Sequence, residues 1–261
     1  MTDVQKHCSA REEAYAIFNM AWKVSLATFC RIALGTISTA FVGHLGADEL
    51  AAAALAGIWV GGAQVLIYGF AVSLCTLCGQ AYGAKNYQLV GIWLQMGIVF
   101  LTVFAIPIVI SCFYVDTILS FVNSDPKVLA LADTYARYSS LSIWPQCVYC
   151  ALRQYLQAME IVTPATLVAG ISVIVSLFAN YFLINGVGNL WSGFGFIGAP
   201  LAQFVCSLFQ LLALYLYACY YKRYHELTWG NGWTWKCIEL KRIRRFLNLS
   251  VGMAVNMVRI L

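Results

Sequence analysis

The chain has 261 residues, 61% of them hydrophobic and 10% charged, with a mean hydropathy of +0.75 and a formal net charge of +5. A soluble domain carries about 25% charged residues, so this sequence cannot cover itself with a polar surface, and an ordinary soluble enzyme is excluded. Its apolar runs are continuous rather than alternating, which excludes the dyad pattern of a membrane β-barrel and predicts an all-α, polytopic helical membrane protein.

Residues 1–13 read as a polar leader with Lys6 and Arg11 and no cleavable signal pattern. The first helix is expected over Tyr15–Val42, interrupted by Lys23 and Arg31. A short loop, Gly43-His44-Leu45-Gly46-Ala47-Asp48, leads into a second helix over Leu50–Leu77, and no charge occurs between Glu49 and Lys85. The third helix, Val90–Val115, contains Pro107, and Asp116–Asp133 reads as a polar turn. The fourth, Tyr135–Ala158, carries Pro145 and Arg153. The uncharged stretch between Glu160 and Lys222 is too long for one crossing of about 20 residues. Asn185–Gly193 splits it into a fifth helix, Pro164–Ile184, and a sixth, Ile197–Tyr220. A polar segment, Lys222–Arg245, precedes the apolar Phe246–Leu261, whose length at ~1.5 Å per residue falls short of a ~30 Å hydrocarbon core. The expected organisation is a leader (1–13), a six-helix lobe (14–221), a linker (222–245) and a partial seventh helix (246–261).

Ten Lys and Arg residues in the leader, the Lys85 turn and the 222–245 segment fall on one side, against Lys127 on the other. Basic loops face the cytoplasm, which puts the N-terminus there. The cluster Lys241-Arg242-Arg244-Arg245 stands directly before an apolar segment, so it reads as a membrane flank and not as a nucleic-acid patch. Most of the ten cysteines lie inside apolar runs, where Cys behaves as a small hydrophobe. The pairs Cys75/Cys78 and Cys147/Cys150 share a helix face at i, i+3, but no His or acid stands beside them. Packing is therefore expected, with no metal, no cofactor and no enzymatic role. Arg153 is expected to snorkel toward the interface, and Gln154, Tyr155 and Gln157 to meet cytoplasmic loops.

Two stretches, GHLGADELAAAALA at 43–56 and TLCGQAYGAKNYQLVGIWLQ at 76–95, resemble the first loop, second helix and following turn of the multidrug and toxic compound extrusion (MATE) antiporters. The resemblance continues through Leu152-Arg-Gln-Tyr-Leu-Gln-Ala-Met-Glu-Ile-Val-Thr-Pro164, Asn180-Tyr-Phe-Leu-Ile, Gly195-Phe-Ile-Gly-Ala-Pro-Leu-Ala202 and His225–Trp233, the last similar to the inter-lobe linker of eukaryotic members. It implies twelve core helices in two lobes with a midplane site between repeats, of which this sequence holds the first lobe, the linker and part of a seventh helix. It also implies export of small organic molecules, organic cations above all, in exchange for protons or sodium. The partners expected are the lipid bilayer, the organic substrate, the coupling cation, and a second copy or a separate C-terminal lobe, with no nucleic acid. The plasma membrane is expected ahead of vacuolar or lysosomal membrane.

Cation-coupled transport needs a carboxylate or polar cluster facing an internal cavity, yet none of the eleven acids falls in the middle of a predicted helix. The resemblance places the family's acidic positions at Ser38, Asn180 and Cys75, with polar neighbours at Ser176 and Gln203, and its seventh-helix glutamate at Ile260. Arg31 falls near mid-membrane, where an Arg costs at least ~2.5–3.5 kcal/mol. It is expected to face a polar cavity, one that repels cations and admits anions, or to pair locally with hydroxyls and carbonyls. The alternatives to antiport are a non-transporting truncated or regulatory half-transporter that needs a partner lobe, and a flippase for lipid-linked substrates.

Overall fold

A computed structural model describes residues 10–120, 125–186, 191–229, 232 and 239–260. Most of the leader, the tip of the Asn123-Ser-Asp-Pro126 turn, part of the Asn185–Gly193 turn, much of the linker and Leu261 lie outside the described residues. The described chain is all helical. Its long elements are α1 (Ala10–Gly43), α2 (Ala47–Gly83), α3 (Tyr87–Ser111), α4 (Pro126–Ala158), α5 (Thr163–Asn180), α6 (Gly198–Tyr215) and α7 (Leu240–Ile260). Short helical segments extend α3 to Leu119, α5 to Asn185 and α6 to Tyr221.

Two boundaries differ from those expected, each for a local reason. The stretch read as a polar turn is helical from Pro126 onward, nine residues ahead of Tyr135. Asp125 caps it by accepting from the Lys127 backbone N–H at 2.9 Å, and Pro126 takes the first helical position, where its missing N–H costs nothing. Asp133 then pairs with Arg137 one turn on, at 2.7 Å. Likewise α7 begins at Leu240, so the basic cluster forms its first turns instead of preceding it. Glu239 starts that helix, accepting from Arg242 and Ile243 backbone N–H groups and pairing with the Arg242 guanidinium at 3.2 Å.

Among the described residues, five helical stretches are long and apolar enough to cross a membrane: Ile17–Gly43, Ala47–Gly83, Tyr87–Leu119, Thr163–Asn185 and Gly195–Tyr221. The fourth expected span is not among them, because Asp133, Arg137, Arg153 and several serines lower the hydropathy of α4. That helix instead occupies the middle of the bundle, packed against α2, α3 and α6. Its polar content is what an interior helix lining a cavity carries, rather than one facing lipid.

The apolar core lies on one side of α4. Leu74, Leu94, Leu101, Ile143 and Leu156, all almost fully buried, join α2, α3 and α4 into one cluster. The α7 helix docks on it through Phe246, edge-on to Phe100 at 5.2 Å, and through a 2.5 Å hydroxyl contact between Ser250 and Ser73. On the far side, α1 leans on α5 through a small separate cluster of Ala27, Cys30 and Ala169. Val42, Ile184 and Ala199 close the end where α1, α5 and α6 meet. There Gly198 lets two backbones touch, since a Cβ on it would sit 2.3 Å from the Leu183 carbonyl oxygen. Between these clusters α1 makes little contact with α2, and the gap is open.

Candidate functional site

The gap is a cavity of about 460 Å³ enclosed by α1, α2, α4, α5 and α6. Its floor follows from residue size. On α2 the facing positions Ala53, Ala54, Gly57 and Gly61 recur at helical spacing, and opposite them on α1 stands Gly35. A Cβ built on Gly35, Gly57 or Gly61 meets nothing within 4 Å. Short side chains at i, i+3 and i+4 lie on one face, so this stripe holds the helices apart over an empty volume instead of filling it.

Of the six residues singled out from the sequence, five line this one cavity: Arg31, Ser38, Ser176, Asn180 and Gln203. Cys75 does not. It stands on the Tyr68 face of α2 but seven residues further on, about 10 Å along the axis, and is half-buried beyond the end of the cavity. Ile260 lies in α7, but its side chain is outside the described residues.

The lining sorts into two ends. At one end Ser38 faces the Tyr135 hydroxyl, and Asn180 donates to the Ser176 carbonyl at 2.8 Å and to the Ser176 hydroxyl at 3.2 Å. Asn180 Oδ1 and Ser139 Oγ are buried without a hydrogen-bond partner among the described residues.

The other end lies about 27 Å away along α4, taken from the eighteen residues between Tyr135 and Arg153 at ~1.5 Å each. There Tyr68 is shared by two arginines: the Arg31 guanidinium lies 4.8 Å above its ring centroid, and Arg153 Nη1 donates to its hydroxyl at 2.9 Å. Arg31 is exposed in the opening, whereas Arg153 is only 7% exposed. Tyr149 and Cys150 line the same cavity. Neither arginine has an acidic partner among the described residues, and no Asp or Glu lines the cavity.

Arg153 thus departs from the expectation of a snorkelling side chain. It sits five residues before the end of α4 on the face turned to α2, so the guanidinium reaches Tyr68 instead of the interface. Lys23, by contrast, leaves the cavity and meets Thr163 at the start of α5 at 3.3 Å, while Thr166 donates to the Lys23 carbonyl at 3.1 Å. Tyr155 meets the linker as expected, its hydroxyl bonded to Thr228. The cysteines pack as small hydrophobes: Cys78, Cys147 and Cys150 are buried, and no group of three metal-ligating side chains occurs among the described residues.

Sequence reasoning missed Tyr68, Tyr135, Ser139, Gln146 and Tyr149 as lining residues. A signal was present. On α4 the positions 135, 139, 146, 149 and 153 are polar and spaced by four, seven, three and four residues, a polar stripe along one face of the helix.

Comparison with known proteins sets this geometry in context. A family model described as MatE matches residues 24–182. The chain is 34% identical to Protein DETOXIFICATION 16 of Arabidopsis thaliana over 234 residues, covering 89% of this chain and 46% of that protein. It is 31% identical over 229 residues to Multidrug and toxin extrusion protein 1 of Xenopus tropicalis, covering 87% of this chain and 39% of that one. Among solved structures, the eukaryotic MATE transporter AtDTX14 superposes with a TM-score of 0.77 at 24% identity, over 92% of this chain and 53% of that one. A MATE crystal structure in the bent conformation superposes with a TM-score of 0.81 at 15% identity, over 93% of this chain and 53% of its own. The chain spans roughly a third to a half of the length of these curated relatives.

Proposed function

Because the chain belongs to the MATE family of multidrug and toxin extrusion transporters, we propose that it builds the first lobe of a secondary antiporter and that its cavity is the pathway for a small organic substrate. The observation that carries this reading is the cavity itself: about 460 Å³, within the range of roughly 300–1,000 Å³ typical of small-molecule sites, floored by small residues and lined by polar groups from five helices. A closed apolar bundle offers no such route. Arg31, Ser38, Ser176, Asn180 and Gln203 are the substrate or ion contacts in this proposal.

Exchange against protons or sodium needs a group whose occupancy responds to substrate, and a buried carboxylate is the usual device. Here the described lining supplies oxygens and amides, from Ser38, Tyr135, Ser139 and Asn180, and no acid. The coupling group is therefore completed when a second lobe, either a second copy of this chain or a separate C-terminal lobe, closes over the cavity. The N-terminus lies on the cytoplasmic side in this reading, as the basic residues of the leader and linker favour, and the protein works in the plasma membrane.

The test is uptake of fluorescent organic ions into proteoliposomes under an imposed pH or sodium gradient, with the mass of the protein in detergent measured alongside. The expected result is saturable, gradient-dependent uptake that Gly57→Leu abolishes by filling the cavity, with its helix content unchanged. Uptake no faster than in protein-free vesicles, or uptake indifferent to Gly57→Leu, contradicts the proposal.

A further inference from the structure

We infer that the Arg31–Tyr68–Arg153 end of the cavity is an anion site, so that the substrates of this lobe carry a carboxylate, sulfonate or phosphate. This rests on the reading of the cavity as the substrate pathway and names the class of molecule that fits it.

Arg153 is almost wholly buried, a guanidinium cannot shed its charge in a protein, and isolated buried charge is costly unless paired. Its one described partner is a neutral hydroxyl, Tyr68. A second guanidinium, Arg31, stands on the ring of the same tyrosine. Two guanidinium charges on one neutral residue, with no Asp or Glu among the described lining residues, leave this end of the cavity net positive.

Geometry says what satisfies it. A guanidinium offers five N–H donors in a planar fork that matches a carboxylate or phosphate in two parallel bonds. Arg153 donates to Tyr68 through Nη1, and the side chain lines the cavity with its other N–H donors unassigned among the described residues. Arg31 is exposed at the opening and free to swing from the ring to an incoming anion. Tyr149 and Gln146, on the same face of α4, add a hydroxyl and an amide next to them. From this charged end the small-residue floor of α2 runs toward Asn180, leaving room for an apolar or aromatic body. An organic cation of the same size meets two like charges there and no countercharge.

Two dyes that share a xanthene frame and differ in sign, fluorescein (anionic) and rhodamine 123 (cationic), separate the possibilities. Binding is followed by fluorescence anisotropy to the full chain in detergent, with excess unlabelled dye to subtract micelle partition. Arg31→Gln is the primary variant, because that side chain is exposed and its loss leaves the packing intact; Arg153→Gln is the second. The expected result is saturable fluorescein binding, weakened at least tenfold by Arg31→Gln, with rhodamine 123 weaker in the native chain and strengthened by the same substitution. Saturable rhodamine 123 binding tighter than fluorescein, lost in Gly57→Leu, overturns the anion site and leaves the cavity as a substrate pathway. Fluorescein binding unchanged in both arginine variants also overturns it. Binding of neither dye overturns both readings.

Discussion

Tyr68→Phe isolates the contact on which the charged end of the cavity depends. The substitution removes the acceptor that Arg153 reaches at 2.9 Å but keeps the ring beneath Arg31 at 4.8 Å. A hydrogen bond from a charged donor contributes about 1.5–3 kcal/mol, and an unmade buried donor costs comparably. The cation–π contact, about 0.5–1 kcal/mol at an exposed site, survives on Phe. Because Arg153 is only 7% exposed, bulk water does not freely replace the lost oxygen. The expected destabilisation is therefore about 1.5–3 kcal/mol, which at roughly 2–4 °C per kcal/mol for a chain of this size lowers Tm by several degrees. Arg153→Met removes the same bond together with the charge whose burial is itself unfavourable by several kcal/mol, so it destabilises less than Tyr68→Phe. In the Arg153→Met background Tyr68→Phe has nothing left to break and costs close to zero. Thermal unfolding of the four proteins of this double-mutant cycle in detergent, followed by circular dichroism, gives the coupling energy directly. Additive effects, with Tyr68→Phe as costly in the Arg153→Met background as alone, would refute the reasoning.

Other substitutions test the fold that holds the cavity. Gly198→Ala forces a Cβ to 2.3 Å from the Leu183 carbonyl and is expected to lower stability by about 1–3 kcal/mol, whereas Gly170→Ala, with nothing within 4 Å, gains up to about 1 kcal/mol of helix propensity; paired Tm measurements read the difference in sign. Asp125→Ala removes the N-cap of α4 and is expected to cost about 0.5–2 kcal/mol, with Asp125→Asn recovering most of it in the same melts. The exposed Lys127–Asp48 pair, 2.5 Å apart, holds the Lys127 ammonium above its ordinary value of 10.5, chiefly through the hydrogen bond and charge of Asp48. A raised value in the folded state means that the contribution is complete below pH 10.5 and lost as pH climbs through the raised value. Asp48→Asn is expected to leave melting unchanged in high salt and to remove this increment of alkaline sensitivity, which a pH series of Tm measurements from neutrality upward resolves.

How much could be read beforehand divides along physical lines. Hydropathy locates the long apolar helices, because a crossing of about 20 apolar residues leaves a continuous run. The α4 start was misplaced although Asp125-Pro126 carries both a cap and a first-turn signal, since the acidic and basic residues that follow read as loop when judged by polarity alone. Motif register singles out Ser38, Asn180, Ser176 and Gln203, and the four line one cavity. Cys75 came from the same register but lies beyond the cavity, because position along a helix is not encoded by face. What stayed hidden was the partnership of Arg31, Tyr68 and Arg153: three residues from three helices meet only through packing, and Arg153 alone, near a helix end, resembles any snorkelling arginine.

The central claim is that the gap between α1, α2 and α4 is where a small organic molecule binds. The most direct measurement is a crystal structure of the chain soaked with 4-bromobenzoate, with anomalous data collected at the bromine edge. A bromine peak is expected within the cavity, with the carboxylate at the Arg31–Arg153 end and the ring on the Gly61 side of it. A saturating soak that leaves the cavity without ligand, or puts the only ordered bromine outside it, would contradict the account.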